Sequence, residues 1–335
     1  MATGIYLPSI CANRVWAVYD VITIGRAGID LYSLDFYEPL EEVRRFARYV
    51  GGSAANIAVG AARLGLSSAI ITRVSDDELG EFIIRHLSRM GVDTRYIKKD
   101  SEGKSGIVFA EIIPGRDGRF IFYREKASDL LLRVEDIPEE VVKGAKLLVI
   151  TGTGLSAEPS RSANFYALEL ARRYGVKVVA NLDWRPTLWR HVSQEERLSL
   201  YRKAIEMADI VIGNRSEYMA ATGRDNLEEA ISEARSINGR ALLVVTLGNE
   251  GSMAVMENGE RVKAKPYIVG HLKGLGAGDG FIAGFLYGLI KGWDLYRSLR
   301  FGNAVGAIVV TRHSCSEAMP TYDEAIMFIE AHGGF

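Results

Sequence analysis

Gly276-Ala277-Gly278-Asp279-Gly280-Phe281-Ile282-Ala283-Gly284-Phe285 joins a glycine-rich bend, a carboxylate and the opening of an apolar helix. Glycines let successive amide N–H groups converge, and a helix N-terminus adds unsatisfied N–H groups and the positive end of its dipole. Such a place attracts an anion, yet the charge of Asp279 would repel one. The carboxylate makes sense if it accepts a proton, or a hydrogen bond, from a hydroxyl attacking a phosphoryl group. A first-turn aspartate is also common as a plain helix feature, so these residues need support elsewhere. Gly280, Gly284 and Gly288 recur every four residues on one face and permit close backbone contact. The apolar run 281–290 falls far short of the ~20 residues that cross a bilayer, so a buried helix of a soluble domain is expected.

The 335 residues can hold one large α/β domain or two ordinary ones, and 48% hydrophobic with 25% charged residues is a globular composition. A formal net charge of −1 without long runs of either sign argues against nucleic-acid binding and against a polybasic membrane contact. Cys11 and Cys315 offer neither a disulfide framework nor metal spacing, and the five scattered histidines contain no H-E-x-x-H. Residues 1–18 are mildly apolar, but Asn13 and Arg14 interrupt them and no basic start precedes them. They are expected to be an N-terminal extension rather than a signal peptide, with a cytoplasmic domain over 19–335.

Short β-branched runs at 69–74, 147–151, 176–180, 210–213 and 242–246 alternate with helical patterns such as 78–90 and 162–174. Near-continuous apolar strands separated by helices predict a mainly parallel sheet covered on both faces. Ligands then bind beyond the carboxyl ends of the strands. Thr151-Gly152-Thr153-Gly154, Asn181-Leu182-Asp183, Gly213-Asn214 and Thr246-Leu247-Gly248 lie there. Residues 105–125 break the alternation and predict a hairpin turning at Pro114-Gly115-Arg116-Asp117-Gly118. With the strand near 21–24 and residues 29–34, this hairpin is expected to make a small separate sheet, a lid built from 22–34 and 105–125. A lid would exclude the water that competes with the intended hydroxyl.

Gly51-Gly52-Ser53-Ala54-Ala55-Asn56 is a double glycine leading into a helix of small residues. A buried carboxamide among alanines needs partners, and sugar hydroxyls would supply them to Asn56. Gly51 and Gly52 would let the backbone approach a polyol without a Cβ in the way. Asp30, after Gly25-Arg26-Ala27-Gly28, would accept from vicinal hydroxyls.

These two glycine motifs, Asn214-Arg215-Ser216-Glu217 as N-x-x-E and Thr246-Leu247-Gly248-Asn249-Glu250-Gly251 as T-x-G-x-x-G, occur in the order found in the ribokinase-like (PfkB) carbohydrate kinases. The chain resembles that family from about Tyr19 to its C-terminus. The resemblance implies a doubly wound α/β domain with a β-sheet lid that often also mediates homodimers, ATP as donor and Mg2+ as the required ion. It makes Asp279 the catalytic base, with the amides of Gly276, Ala277 and Gly278 stabilising charge on the transferring phosphoryl oxygens. Asn214 and Glu217 would hold Mg2+ through water. Thr246, Gly248, Gly251 and Asn303 would lie along the nucleotide. Arg26, Asp30, Gly51, Gly52 and Asn56 would bind the sugar.

Asn181-Leu182-Asp183-Trp184-Arg185-Pro186-Thr187-Leu188-Trp189 bears on the acceptor. A guanidinium at a strand's carboxyl end can grip a planar carboxylate at two points. Arg185 is therefore expected to bind a sugar acid, with Arg124 in the lid as a second cation; surface ion pairing is the plainer alternative for each. The stretch partly agrees with the D-x-N-x-R-x-x-L-W pattern of family members that act on keto-deoxy sugar acids, but Asn181 and Asp183 exchange the usual residues. The resemblance extends to Thr23-Ile24-Gly25-Arg26-Ala27-Gly28-Ile29-Asp30-Leu31-Tyr32 and to Arg312-His313-Ser314-Cys315 with Ala318-Met319-Pro320-Thr321. It implies phosphorylation of a primary hydroxyl of 5-dehydro-2-deoxy-gluconate. The alternatives are 2-dehydro-3-deoxygluconate, or a neutral sugar or nucleoside. Many members carry Asp-Thr-Thr before the final glycine motif, and that Asp helps to bind an activating K+. Here Lys273-Gly274-Leu275 stands there, so independence of K+ is expected. A binding protein without turnover and a Rossmann dehydrogenase are weaker alternatives. The retained Asp279, Asn214 and Glu217 oppose the first, and no G-x-G-x-x-G after the first strand supports the second.

Overall fold

Val21 and Ile22 are both fully buried, and being adjacent in a strand they point to opposite faces of the sheet that holds them. A sheet with two buried faces must be covered on both sides. The computed structural model, which describes residues 17–116 and 118–335, contains such a sheet. Among the described residues the strands are β1 (Tyr19–Ile24), β2 (Gly28–Ser33), β3 (Phe46–Gly51), β4 (Ser68–Ser75), β5 (Ile97–Asp100), β6 (Ile107–Ala110) and β7 (Phe120–Tyr123). They continue as β8 (Ala145–Thr151), β9 (Lys177–Asn181), β10 (Ile210–Asn214), β11 (Leu242–Thr246), β12 (Ser252–Val255) and β13 (Arg261–Ala264). Nine form the large sheet, in the order β13-β12-β11-β10-β9-β8-β1-β4-β5. It is parallel from β11 to β5, and the hairpin β12–β13 adds an antiparallel edge.

The helices are α1 (Ser53–Arg63), α2 (Glu78–Arg89), α3 (Glu139–Lys143), α4 (Ser160–Arg173), α5 (Gln194–Met207), α6 (Arg215–Thr222), α7 (Leu227–Ile237), α8 (Ala277–Ile290), α9 (Leu295–Val310) and α10 (Tyr322–Ala331). Ile22, Leu148 and Ile150 meet α3 to α7 on one face. Val21, Leu147 and Val149 meet α1, α8, α9 and α10 on the other. This is the doubly wound, mainly parallel α/β architecture that the resemblance implies. The glycine face of α8 packs on α9: a Cβ at Gly284 would lie 3.0 Å from Gly302 Cα and 3.0 Å from Phe301 O. None of the described helices is long and apolar enough to cross a membrane.

The small sheet has the order β3-β2-β6-β7. Residues 21–24 do not belong to it, contrary to the expectation above: β1 lies between β8 and β4 in the large sheet. A central strand buried on both faces and a lid strand give the same short apolar run, which is why periodicity misplaced it. The small sheet takes β3 instead, paired antiparallel with β2. The expected hairpin is present as β6 and β7. Residues 1–16 of the expected extension, and Asp117 in the hairpin turn, lie outside the described residues.

Candidate active site

A cavity of about 630 Å3 opens beyond the carboxyl ends of β9, β10 and β11 and reaches the start of α8. Gly276 caps that helix with φ +83°, a left-handed conformation that glycine adopts without strain. It leaves no room for a side chain, since a Cβ would lie 2.8 Å from Cys315 Sγ. Gly276, Ala277 and Gly278 line the cavity, and no atom stands within 4 Å of where a Gly278 Cβ would be. The turn thus offers open backbone to a ligand.

Asp279 follows on the same wall. Its Oδ1 accepts from Ser53 Oγ at 2.6 Å and its Oδ2 from Asn56 Nδ2 at 2.8 Å. Both donors come from α1, which packs against α8. Burial and then the nearby Asp183 push the Asp279 carboxyl above the usual range, against these two hydrogen bonds and the pull of Arg185.

Asn214 ends β10 and caps α6. Its Oδ1 accepts from Glu217 N–H at 2.9 Å, while Glu217 Oε2 accepts from Asn214 N–H at 2.8 Å. The N-x-x-E element is therefore a capping box, a structural reason for both residues that stands beside any functional one. Glu217 is also a buried wall residue of the cavity. Burial pushes its carboxyl up to about 7; Arg185 resists the rise, and Asp183 and Asp279 add to it.

Asp183 lies just past β9 with φ +36°, which Asp tolerates better than most residues. It accepts from Thr153 Oγ1 at 2.8 Å and pairs with Arg185 at 3.3 Å. Burial works against the Arg185 charge, but Asp183, Glu217 and Asp279 more than offset it, so the guanidinium stays protonated. Thr246, Gly248, Gly251 and Asn303 line the far end of the cavity. Gly251 has φ +91°, and a Cβ there would lie 2.1 Å from Ala264 O.

The structure brings these residues together but treats the expected sugar-binding group differently. Arg26, Asp30, Gly51, Gly52, Asn56 and Arg124 are not among the residues of the cavity wall. Arg26 pairs with Asp30 at 3.1 Å, and Asp30 also accepts from Tyr32 Oη at 3.1 Å. Arg124 is ion-paired with Asp129, both buried. Asn56 is engaged by Asp279. The double glycine has an internal cause: a Cβ at Gly51 would lie 1.9 Å from Asp30 Oδ2, and one at Gly52 would lie 2.3 Å from Arg26 O.

Ser53 has no counterpart among the residues expected from the sequence, and Asn181 and Lys273 make contacts that the sequence does not announce. Ser53 sat unremarked inside a quoted motif, and its contact with Asp279 spans 226 positions. Asn181, expected at a strand end and noted for its exchange with Asp183, donates through Nδ2 to Ser53 Oγ at 2.8 Å. Lys273 is buried in the cavity wall, and its Nζ donates to Leu275 O at 2.6 Å and Val309 O at 3.3 Å. Burial lowers its pKa, against the pull of Cys315, Asp30 and Asp279.

Residues 19–322 match the model of the pfkB family carbohydrate kinases. The chain belongs to this family and is a sugar kinase, a phosphotransferase. A Shouchella clausii protein named 5-dehydro-2-deoxygluconokinase is 43% identical over 314 residues, covering 93% of this chain and 96% of its own. A sugar kinase of Pyrococcus horikoshii, solved in complex with ATP, is 30% identical with a TM-score of 0.80; the match covers 93% of this chain and 98% of that one. A putative ribokinase II of Escherichia coli, solved with ATP and Mg2+, is 25% identical with a TM-score of 0.85, covering 94% and 100%.

Proposed function

We propose that this chain transfers the γ-phosphoryl group of ATP to a primary hydroxyl of 5-dehydro-2-deoxy-gluconate, with Asp279 as the base. The observation that carries this reading is the placement of Asp279 beside the open backbone of Gly276 to Gly278 and on the same cavity as Arg185. The acceptor oxygen bonds to the γ-phosphorus, the bond from that phosphorus to the β–γ bridging oxygen breaks, and the hydroxyl proton passes to Asp279. ADP leaves with the bridging electrons. Amides of Gly276, Ala277 and Gly278 stabilise the charge on the transferring oxygens. Thr246, Gly248, Gly251 and Asn303 accommodate the nucleotide. Use of ATP goes with a cytoplasmic setting.

The acceptor is favoured by the names of the relatives and by the chemistry of the wall. Arg185 is a protonated guanidinium with its side chain 37% exposed, able to meet a substrate carboxylate. The same relatives do not favour 2-dehydro-3-deoxygluconate, a neutral sugar or a nucleoside. Arg124 and the Arg26–Asp30 pair join the sugar site when closure of the small sheet, as a lid over a substrate bound in the cavity, frees them from their present partners.

The metal is assigned as Mg2+. Among the described residues no group of three or more His, Cys, Asp or Glu is arranged to hold an ion. Asn214 and Glu217 offer oxygen donors only, already tied in a capping box. Such a set fits an ion that keeps its waters and takes phosphate oxygens, as Mg2+ does, and fits a soft metal poorly. Bound there, Mg2+ would neutralise phosphate charge. A homodimer through the small sheet belongs to the same reading: Leu34, Phe36, Tyr37, Ile121 and Tyr123 are exposed apolar residues on or beside it.

A coupled ADP-release screen over sugar acids, neutral sugars and nucleosides tests the function, repeated with Arg185→Ala. Loss of a charge-assisted grip lowers kcat/KM for acids by about 10–100-fold. An equal loss for neutral acceptors removes Arg185 from carboxylate binding.

A further inference from the structure

The proposed base is held by hydrogen bonds whose direction is set by residue type. Asn181 Nδ2 donates to Ser53 Oγ at 2.8 Å, and Ser53 Oγ donates to Asp279 Oδ1 at 2.6 Å. A serine hydroxyl has one proton to give, whereas an amide nitrogen can only donate. Asn181 therefore fills a lone pair of Ser53 and leaves its single proton for Asp279. An aspartate at 181 would accept that proton instead and contest it. Ser53 and Asn181 are both buried, which keeps bulk water from substituting for either.

The surrounding charges make this arrangement matter. Asp183 beyond β9 and Glu217 on α6 oppose ionisation of Asp279, while Arg185 and Lys273 favour it. Arg185 is paired with Asp183, and Lys273 donates to main-chain carbonyls. From α1, Ser53 and Asn56 present uncharged donors. The direct contacts that stabilise the Asp279 carboxylate are thus neutral hydrogen bonds.

We propose that Ser53 and Asn181 are positioning residues that form a one-way relay, Asn181 to Ser53 to Asp279, keeping the base ionised and aimed at the acceptor. The relay rests on the assignment of Asp279 as base. It also gives a physical sense to the exchange of residues at 181 and 183. The neutral donor stands where it can feed Ser53, and the carboxylate is moved to the side of Arg185 and Thr153.

The test is the pH profile of kcat/KM for the sugar acid, with ATP saturating, in the wild type and in Ser53→Ala, Ser53→Thr and Asn181→Asp. Losing a donor to the carboxylate raises the Asp279 pKa, so the acid limb moves to higher pH. A shift of about one pH unit is expected for Ser53→Ala and at least as much for Asn181→Asp. Ser53→Thr keeps the hydroxyl and should keep the wild-type limb. Ser53 donates to Asp279 and makes no hydrogen bond to Glu217, so its loss acts on the base directly. Unmoved limbs in Ser53→Ala and Asn181→Asp overturn the relay, as does a Ser53→Thr limb displaced like that of Ser53→Ala. Asp279→Asn separates the two assignments. If it is inactive while the Ser53→Ala limb stays put, only the relay falls; if it still turns over, the base assignment falls and the relay with it.

Discussion

Glu217 accepts the Asn214 N–H through Oε2 while it feels the charges of Asp183 and Asp279. Its pKa, about 7 in the folded protein, lies above its ordinary 4.5, so folding favours the protonated form. Stability from this group is full below the unfolded value, falls as pH rises between the two values, and stays low above them. Glu217→Gln retains an acceptor for Asn214 and removes the charge. It should be more stable than wild type above pH 7, by about 1–3 kcal/mol, and equal to it in acid. Thermal melts at both pH values check this, and a gain that is the same in acid would contradict the cause. Lys273 supplies a second case. Its ammonium already occupies the main-chain carbonyls of Leu275 and Val309 beside the Gly276 turn. Activity should therefore change little when Na+ replaces K+ at constant ionic strength, and a strong K+ stimulation would overturn that role. At this scale, residues at strand ends and helix starts were legible, because such junctions concentrate their chemistry in a few consecutive positions. Asp279, Asn214, Glu217, Thr246 and Arg185 all lie at or just beyond such junctions. Ser53 was not, because a small residue in a helix start looks the same whether it serves a base or only packs.

α8 carries Asp279 on its first turn and its glycine face against α9, so packing and site geometry are coupled through one element. Gly284 meets backbone atoms of Phe301 and Gly302, which cannot step aside as the end of a flexible side chain can. Gly284→Ala should cost about 1–3 kcal/mol by overpacking, read as a lower urea midpoint at unchanged m-value. An unchanged midpoint would mean that the two helices can separate freely. The glycine spacing, the parallel strands and the hairpin were readable because each has its own period or punctuation. The position of β1 was not, since VITI satisfies both a central strand and a lid strand. The partners of Arg26 and Arg124 were missed for another reason. Asp30 and Asp129 stand four and five residues further on, close enough to pair, but nothing in the spacing says whether a ligand or the neighbour takes the guanidinium.

Across the whole molecule, the large sheet supplies a fixed wall of strand ends and the small sheet supplies the face proposed for closure and pairing. The exposed side chains Ile121 and Tyr123 share one face of β7, an edge strand. An Ile121→Glu, Tyr123→Glu double variant should sediment as a monomer and the wild type as a dimer. A wild type that is monomeric at assay concentration would remove this face from assembly. The proposed reaction depends on one carboxylate receiving a proton during phosphoryl transfer. The direct measurement sets turnover against nucleotide binding in Asp279→Asn, which keeps the shape of the side chain and one acceptor oxygen. ADP release in the presence of the sugar acid should fall by about 10²–10⁴-fold or more while ATP affinity stays near that of the wild type. Turnover within a few-fold of wild type would contradict it.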